Sequence, residues 1–577
     1  MPGVYVGVGC SFVKANKVFV GVGCSYVEVN KVYTSENCNW KVVHEAGGKG
    51  LIALVGNGGA TGQGLDVNFS GYRSIVALSD DTIAFSVNEY DPSTASHSST
   101  VIKLNAKGQS QWQRQSDRFN SSVTWTGKVT NMLRADSGDN IYQLGSAYAP
   151  TGQNKAANWI QKITANGTYQ WDRTHGNQTL SGNMASGGPS NPLKDLVFNG
   201  PSNDQESTFQ VEGESNYSGG YPSQGFFTTV STYNSNDGSL VSYRLMGSSG
   251  GTGNKNGNNE GRELIRFDDK IYSASQAAGS HKCASPNGPC YNVGSIYRRS
   301  LDGQTVDNVG GGQFAPSTAG SATHSFQHHG TGTLHTNYDL TYDYPILMPL
   351  YTMQSTIPPA HTVYHYSPHK LYFHFFRADL DLTDVKRYEL TGPATATANT
   401  DMPAQSGSGI IWDASNNHIY FLLGHKDFNE LSIIEFDVAT GTIQNQNRFR
   451  ITNSNDRLMN DSHHCGGLVM TSDKFYIQGQ TNRFDNTGVT KANQTFILQI
   501  PKDLTDGFGD YGDNLVYEPR PANDLYTMSN STEIPPYGGP GGSYYWPVPQ
   551  TMGNVTQDEN TTPTADNIPV GTTKQKN

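Results

Sequence analysis

Charge is scarce in this sequence, and its balance is mildly acidic. Of the 577 residues, 15% are Asp, Glu, Lys or Arg, and the formal net charge is -11. No stripe of Lys and Arg stands out, whereas a nucleic-acid-binding surface concentrates basic residues to neutralise phosphates. We therefore expect no nucleic acid among the partners of this protein. A mildly acidic net charge favours solubility and says little about which partners the protein binds.

Cysteine and long apolar runs are also scarce. Six cysteines in a chain of this length do not make a disulfide-held scaffold. Cys283 and Cys290 enclose the turn CASPNGPC, where they form either a local disulfide or two free thiols. No run approaches the ~20 apolar residues of a membrane span, and the first residues lack the pattern of a signal peptide. These absences predict synthesis in a cytoplasm, no membrane insertion and no signal-dependent export.

Glycine and aromatic residues are abundant instead. The chain has 64 Gly, 31 Tyr and 23 Phe. Aromatic and β-branched residues favour strands, while Gly, Asn and Ser favour the turns between them. The aromatic supply also separates this composition from that of disordered chains. We predict an all-β protein rich in loops.

The chain begins with a repeat of fourteen residues. Gly3–Asn16 reads GVYVGVGCSFVKAN, Lys17–Asn30 reads KVFVGVGCSYVEVN, and a degenerate third copy begins at Lys31. A unit this short cannot bury an apolar face alone, so it stacks on its neighbours or on another chain. We assign residues 1–43 to β repeats that attach the protein to a partner. Each copy carries a cysteine and, two positions later, an aromatic residue: Cys10 and Phe12, Cys24 and Tyr26, Cys38 and Trp40.

Three roles remain open for the repeat cysteines. They are small buried apolar groups, disulfides within or between chains, or thiolates on a metal.

A weaker repeat runs through residues 65–515. A polar turn with Asp or Asn precedes an apolar strand, and a second strand with its own turn follows. Four short strands per unit at such a period predict a β-propeller, and the seven units indicate seven blades. The first strands are Asp80–Val87, Asp139–Gly145, Ser207–Gly213, Asp268–Ser273, His369–Phe375, Asn416–Gly424 and Asp473–Gly479.

Three segments do not fit this period. A gap of 100 residues separates Ile271 from Leu371 and could be an insertion or an eighth blade. Residues 44–64 are Gly-rich, and we interpret them as a hinge whose short strand, Leu51–Val55, could help to close the ring. Residues 516–577 are rich in Pro, Asn and Thr. Alone such a tail is disordered, so we expect it to be extended and docked in an assembly.

No catalytic motif, cofactor motif or metal site emerges from the sequence. The zincin, P-loop and EF-hand patterns are absent. The acidic runs DLDLTD and DGFGDYGD could offer oxygen atoms to Ca²⁺ or could be polar turns between strands. We therefore name no catalytic, cofactor-binding or metal-binding residue.

The N-terminal repeat resembles a short tandem repeat of tailed-phage virion proteins. The matching segments are Lys17–Gly23, Tyr26–Glu28 and Lys31–Tyr33. The sequence departs from the phage pattern at its three repeat cysteines and in the third copy, where the Gly pair is lost. The resemblance covers a small part of the chain. It implies a place in a virion, in the tail or fibre, with synthesis in the host cytoplasm.

These observations lead to one preferred function and two alternatives. The preferred function is a structural and adhesion component of a phage virion, in which the repeats anchor the chain and the propeller contacts the host surface. Its expected partners are other virion proteins, copies of itself (a trimer by analogy with fibres) and a host-surface glycan. The alternatives are a propeller enzyme acting on polysaccharide, such as a lyase or glycosidase, and a purely structural virion decoration protein.

Overall fold

The computed structural model is an all-β structure of 42 strands, and no α-helix occurs in the part of the chain that it describes. No helix that could cross a membrane is therefore found there. Side chains are described for residues 73–88, 98–106, 108–116, 132–145, 159–173, 195–199, 207–212, 230–242, 264–274, 296–302, 334–349, 371–381, 384–392, 409–424, 429–452, 458, 467–479, 495–511 and 515–531.

The N-terminal strands form three separate antiparallel hairpins, one for each fourteen-residue repeat. Two residues connect the strands of each hairpin. None of the three hairpins pairs with any other strand for which the structure gives a backbone. The strands are β1 (Tyr5–Val8) with β2 (Ser11–Lys14), β3 (Phe19–Val22) with β4 (Ser25–Glu28), and β5 (Lys31–Glu36) with β6 (Asn39–Glu45).

The body is a seven-bladed β-propeller, in which each blade is an antiparallel sheet numbered from its innermost strand. The strand before blade 1 is β7 (Gly50–Val55). Blade 1 has an inner strand in two pieces, β8 (Asp66–Phe69) and β9 (Ile75–Ala77), then β10 (Ile83–Asp91), β11 (Ser96–Leu104) and β12 (Ser110–Gln115). Blade 2 has β13 (Gly127–Ala135), β14 (Ile141–Tyr148), β15 (Ala156–Ile163) and β16 (Tyr169–Gly176). Blade 3 has β17 (Asp195–Phe198), β18 (Thr208–Tyr217), β19 (Gly225–Asn234) and β20 (Leu240–Met246).

The remaining blades follow the same order. Blade 4 has β21 (Asn258–Phe267), β22 (Lys270–Ala278), β23 (Val293–Ser300) and β24 (Val306–Gly310). Blade 5 has β25 (His324–Gly330) and β26 (His335–Thr336), then β27 (Ile346–Thr356), β28 (Lys370–Phe376) and β29 (Val385–Thr391). Blade 6 has β30 (Asp401–Pro403) and β31 (Ile410–Asp413), then β32 (His418–His425), β33 (Glu430–Asp437) and β34 (Thr442–Ile451). Blade 7 has β35 (Leu468–Met470), β36 (Lys474–Thr481) and β37 (Gln494–Pro501).

The ring is closed by the strand that precedes blade 1. β7 pairs antiparallel with β37, so Leu54 lies opposite Phe496 and Val55 opposite Thr495. Blade 7 therefore takes its outermost strand from the beginning of the propeller sequence. This pairing protects the outer edge of β37, which would otherwise expose a row of unpaired backbone groups.

The long gap in the sequence repeat belongs to blade 5 and not to an eighth blade. Its second strand is β27, which begins at Ile346, and the segment His369–Phe375 contributes to the third strand, β28. The assignment of that segment to a first apolar strand of a unit was therefore wrong. The other six predicted segments each contribute to the second strand of a blade.

The residue type before the second strands, Asp or Asn, is explained by the backbone conformation at that position. Asp81, Asp139, Asp268 and Asn417 have φ values of 59°, 59°, 53° and 59°. This left-handed region is disfavoured for most residues, but Asp and Asn tolerate it because their short side chains bond locally. Two of them also join blades. Asp81 accepts hydrogen bonds from the backbone and hydroxyl of Ser472, and Asp139 accepts the same pair from Ser79.

A second contact, which we call the carbonyl clasp, recurs at six of the interfaces between described blades. A side chain of one blade donates a hydrogen bond to a backbone carbonyl of the next blade, in the turn that follows the third strand of that blade. Such bonds satisfy buried backbone groups while they fix the angle between blades. The donor and acceptor pairs are Trp112 and Ala165, Trp171 and Ser235, Gln210 and Leu301, Tyr272 and Ala378, Tyr388 and Val438, and Tyr517 and Leu504.

Apolar side chains fill most spaces between the blades. Six apolar clusters each join two neighbouring blades, including the pair formed by blades 7 and 1. Between blades 3 and 4, the described side chains include a buried ion pair instead. Arg299 Nη1 lies 3.0 Å from Glu212 Oε2, and both side chains have no exposed surface.

The chain after blade 7 runs back around the outside of the ring. β38 (Gly509–Asp510) pairs with β39 (Leu515–Pro519), and β39 adds a strand to blade 6 by pairing with β34. β40 (Thr527–Asn530) then pairs with β29 of blade 5. β41 (Met552–Gly553) pairs with β20 of blade 3, and β42 (Thr564–Asn567) pairs with β16 of blade 2. These segments of the predicted tail thus pair with the propeller of their own chain. Docking of the tail in a larger assembly stays a prediction.

Candidate functional site

Polar side chains from several innermost strands meet near the centre of the ring. Arg73 precedes β9 of blade 1 and has a left-handed φ of 55°. Its Nη2 atom donates to the carbonyl of Leu334, 3.3 Å away in blade 5. Blades 1 and 5 are not neighbours in the ring, so this side chain reaches across its central space.

Blades 2, 3 and 4 meet at a single carboxylate close to Arg73. Asp195 is the first residue of β17 and is fully buried. Arg134 binds it through two parallel hydrogen bonds, of 3.0 Å from Nε and 2.8 Å from Nη2. Asp195 also accepts bonds from the backbone NH groups of Leu196 and Leu264. The carboxylate is held in place by a bidentate, charge-assisted pair.

His335 follows Leu334 in blade 5 and completes what we call the central polar cluster: Arg73, Arg134, Asp195 and His335. The His335 residue is 7% exposed. Its Nε2 atom is buried and has no hydrogen-bond partner in the described part of the structure. A buried polar atom left in this state costs free energy, about 1–3 kcal/mol. It therefore marks a position where a further group would be stabilising.

The cluster is electropositive. Burial and, to a smaller extent, the neighbouring charge of Arg134 lower the pKa of Arg73 to about 9, while Asp195 acts in the opposite direction. Burial also lowers the pKa of His335 well below its ordinary value, with Arg73 and Arg134 adding to the effect. His335 is therefore a neutral imidazole at neutral pH. The cluster places two guanidinium groups and a neutral ring around one carboxylate.

Blade 3 contributes two neighbouring buried carboxylates to this region. Glu212 lies opposite Asp195 in the ladder between β17 and β18, and both side chains are fully buried. Each is bound by an arginine, Asp195 by Arg134 and Glu212 by Arg299. A glycosidase needs one carboxyl group on each side of the scissile bond, within reach of the substrate. Both carboxylates of this pair are instead held by arginines and have no exposed surface.

None of the residues predicted from the sequence as attachment or disulfide sites has a described side chain. Phe12, Tyr26 and Trp40 belong to β2, β4 and β6, whose backbone alone is described. The cysteines fall outside the described residues, so their roles stay predictions: Cys10, Cys24 and Cys38 in the hairpin connections, and Cys283 and Cys290 between β22 and β23.

The acidic run DLDLTD is the turn between β28 and β29. Asp384 accepts a hydrogen bond from the hydroxyl of Tyr344 and lies 3.3 Å from Arg377 Nη1. Asp379 Oδ1 accepts a hydrogen bond from the backbone NH of Asp381. Within the described part of the chain, no group of three or more His, Cys, Asp or Glu side chains could hold a metal ion.

Comparisons with known proteins find distant structural similarity. No protein-family model and no curated protein matches the chain. The β-propeller domain of the Trilobed protease from Pyrococcus furiosus is 10% identical, with a TM-score of 0.37, and the match covers 79% of this chain and 98% of that one. An acylaminoacyl peptidase from Pyrococcus horikoshii is 11% identical, with a TM-score of 0.36 over 75% of this chain and 52% of that one. A xylan β-1,4-xylosidase from Bacillus halodurans C-125 is 10% identical, with a TM-score of 0.25 over 81% of this chain and 99% of that one.

These similarities are too remote to indicate an activity. Peptidases and glycosidases are both among them, yet the low identities and scores carry no argument for or against catalysis. The propeller assignment rests on the strand pairing described above.

Sequence reasoning missed every member of the central polar cluster. Arg73 and Leu334 are 261 residues apart, and no local motif links them. His335 lies within the long gap where the sequence repeat was not recognised. Arg134 and Asp195 each occur once in an inner strand, without a counterpart at a repeating position. The signal in the sequence was limited to a charged residue beside apolar ones, as for Arg134 in β13 and Asp195 in β17.

Proposed function

We propose that this protein is a structural and adhesion component of a phage virion, anchored by its N-terminal hairpins and presenting the propeller to the host surface. The observation that carries the proposal is the separation of the three hairpins from every sheet of the propeller among the strands described. An isolated two-stranded hairpin is at best marginally stable in water. Three in succession, one per repeat, therefore favour a surface on another virion protein or on a second copy of this chain.

The position of the hairpins supports an anchoring role. β6 ends at Glu45 and β7 begins at Gly50, so the hairpin segment leads directly into the strand that closes the ring. A partner that holds the hairpins would thus hold the propeller through blade 7. The resemblance of the repeats to those of tailed-phage virion proteins is the reason to identify that partner with a virion.

The test is to produce particles that carry either the full chain or a chain without residues 1–45. We expect the shortened chain to fold, because β7 remains, and to be missing from purified particles. The same shortened chain, purified and labelled, should still bind host cells in a saturable manner that added surface polysaccharide reduces. Incorporation of the shortened chain at the normal level would overturn the anchoring role. A folded chain that never binds host cells would favour a purely structural decoration protein.

A further inference from the structure

The central polar cluster has the chemistry of a binding site for a small anion. Arg73 is partly buried, and the Arg73 and Arg134 guanidinium groups act on each other and on His335. Guanidinium groups bind planar or tetrahedral oxyanions through paired NH donors. Such attraction is stronger where water is partly excluded than at an open surface.

The field at the cluster favours an added negative charge. Burial and the charge of Arg134 lower the pKa of Arg73 by more than Asp195 raises it, so positive charge is disfavoured on balance at that position. An incoming anion would relieve this by interacting favourably with Arg73 and Arg134. His335 contributes the buried Nε2 atom that has no hydrogen-bond partner within the described structure. It can donate or accept one hydrogen bond according to its tautomer.

An exposed aromatic side chain stands beside the cluster. Tyr338 is 69% exposed and has a left-handed φ of 56°. It is close enough to Arg73 for its phenol to influence the pKa of that residue. A left-handed φ is rare in a bulky residue and indicates local strain.

The loop that carries Tyr338 is held by its own hydrogen bonds. The backbone NH of Tyr338 donates to Thr336 Oγ1, and that of Asp339 donates to the buried Asn337 Oδ1. The Asp339 carboxylate in turn accepts two bonds from Thr341. The backbone of this loop is thereby held before any ligand arrives, which lowers the entropy cost of binding.

We propose that the centre of the propeller binds an acidic sugar, with its carboxylate between Arg73, Arg134 and His335 and its ring against Tyr338. The proposal deepens the proposed function by naming the chemistry of the receptor, and it rests on that function only for the natural source of the sugar. A charged group in a partly buried pocket gives specificity, and the aromatic face supplies apolar contact for the sugar ring.

The test is calorimetric titration of the purified full chain with sodium glucuronate, with glucose and inorganic phosphate as comparison ligands. We expect binding of glucuronate and none of glucose. Arg73→Gln should weaken glucuronate binding by about ten- to a hundredfold, as for loss of a hydrogen bond to a charged group. His335→Gln offers a second variant in the same pocket. Arg377→Gln, in an arginine that is 41% exposed in the turn after β28, is the matched control and should leave binding unchanged.

The variant Tyr338→Ala distinguishes binding of an acidic sugar from binding of a free oxyanion. It is exposed, so the variant should fold, and it should weaken glucuronate binding by roughly three- to tenfold without affecting phosphate. Phosphate binding equal to glucuronate binding, with no effect of Tyr338→Ala, would overturn the sugar assignment. A folded chain that binds neither ligand, or binds both equally well after Arg73→Gln and His335→Gln, would overturn the site itself. The titration uses purified chain and free ligands. Its failure would therefore not affect the proposed anchoring function, which is tested by incorporation of the protein into particles.

Discussion

The carbonyl clasp between blades 2 and 3 offers a quantitative test of how the ring is held together. Trp171 is 4% exposed, donates to the carbonyl of Ser235 at 3.1 Å and packs against Gly238. Gly238 has a φ of +70°, and a Cβ atom placed there would lie 2.7 Å from Cε3 of the indole. Gly238→Ala therefore introduces two costs, a left-handed alanine and a collision with Trp171.

The two costs can be measured separately. A left-handed alanine costs about 1–2 kcal/mol, and overpacking a filled space costs about 1–3 kcal/mol. We expect Gly238→Ala to reduce the free energy of unfolding by about 2–5 kcal/mol in the natural sequence. In a Trp171→Ala background the ring is gone, and what remains is the backbone cost and a contact with the side chain of Arg173, whose Cγ lies 2.9 Å from the added Cβ. The coupling energy between the two positions is then about 1–3 kcal/mol.

The measurement is a double-mutant cycle in urea, followed by far-UV circular dichroism because one variant lacks a tryptophan. Gly509→Ala is the control: its φ is +140°, and an added Cβ would meet nothing within 4 Å. Its effect should add to that of Trp171→Ala without coupling. If Gly238→Ala lowers the free energy of unfolding equally in both backgrounds, the indole does not pack against this glycine.

Three further predictions concern pH and the two ends of the chain. Burial raises the pKa of Glu212 to about 7, so the folded state binds a proton more tightly than the unfolded state. Stability should therefore fall as pH rises from about 4.5 to 7. Glu212→Gln should flatten that part of a Tm-against-pH curve. Removal of residues 1–49 should leave Tm nearly unchanged, whereas removal of residues 1–64 deletes β7 and should lower Tm and promote aggregation, seen by size-exclusion chromatography. A chain ending at residue 531 should be as stable as the full protein, whereas one ending at residue 514 should lose several kcal/mol, since it removes the buried Leu and Tyr of β39. Equal urea midpoints for the last two chains would show that β39 is not part of the core.

The regular part of this fold could be predicted from local sequence. Turn residues such as Asp139 and Gly167 report a left-handed conformation that few other residues adopt, and the apolar strand beside them reports burial. Those signals identify the propeller and six of its second strands. They also predicted Leu51–Val55 as a closing strand, and β7 confirms it.

The irregular parts could not be predicted, because the local signals that mark the other strands are missing there. In blade 5, nine residues separate β26 from β27, so the short polar turn that marks the other second strands is missing. β27 also contains Pro349, which does not favour a central strand. The central polar cluster is the extreme case. Its members come from blades 1, 2, 3 and 5, and only the closure of the ring brings Arg73 beside His335.

The pairing of β7 with β37 also sets a condition on biosynthesis. β7 is made before the first blade, but its partner leaves the ribosome only when most of the chain has been translated. At ~5–20 residues per second this delay is on the order of a minute. Throughout that time the apolar segment LIALV has no strand to join. The glycines on both sides of it disfavour early strand formation with a wrong neighbour. The ring is complete only when blade 7 pairs with the strand that precedes blade 1.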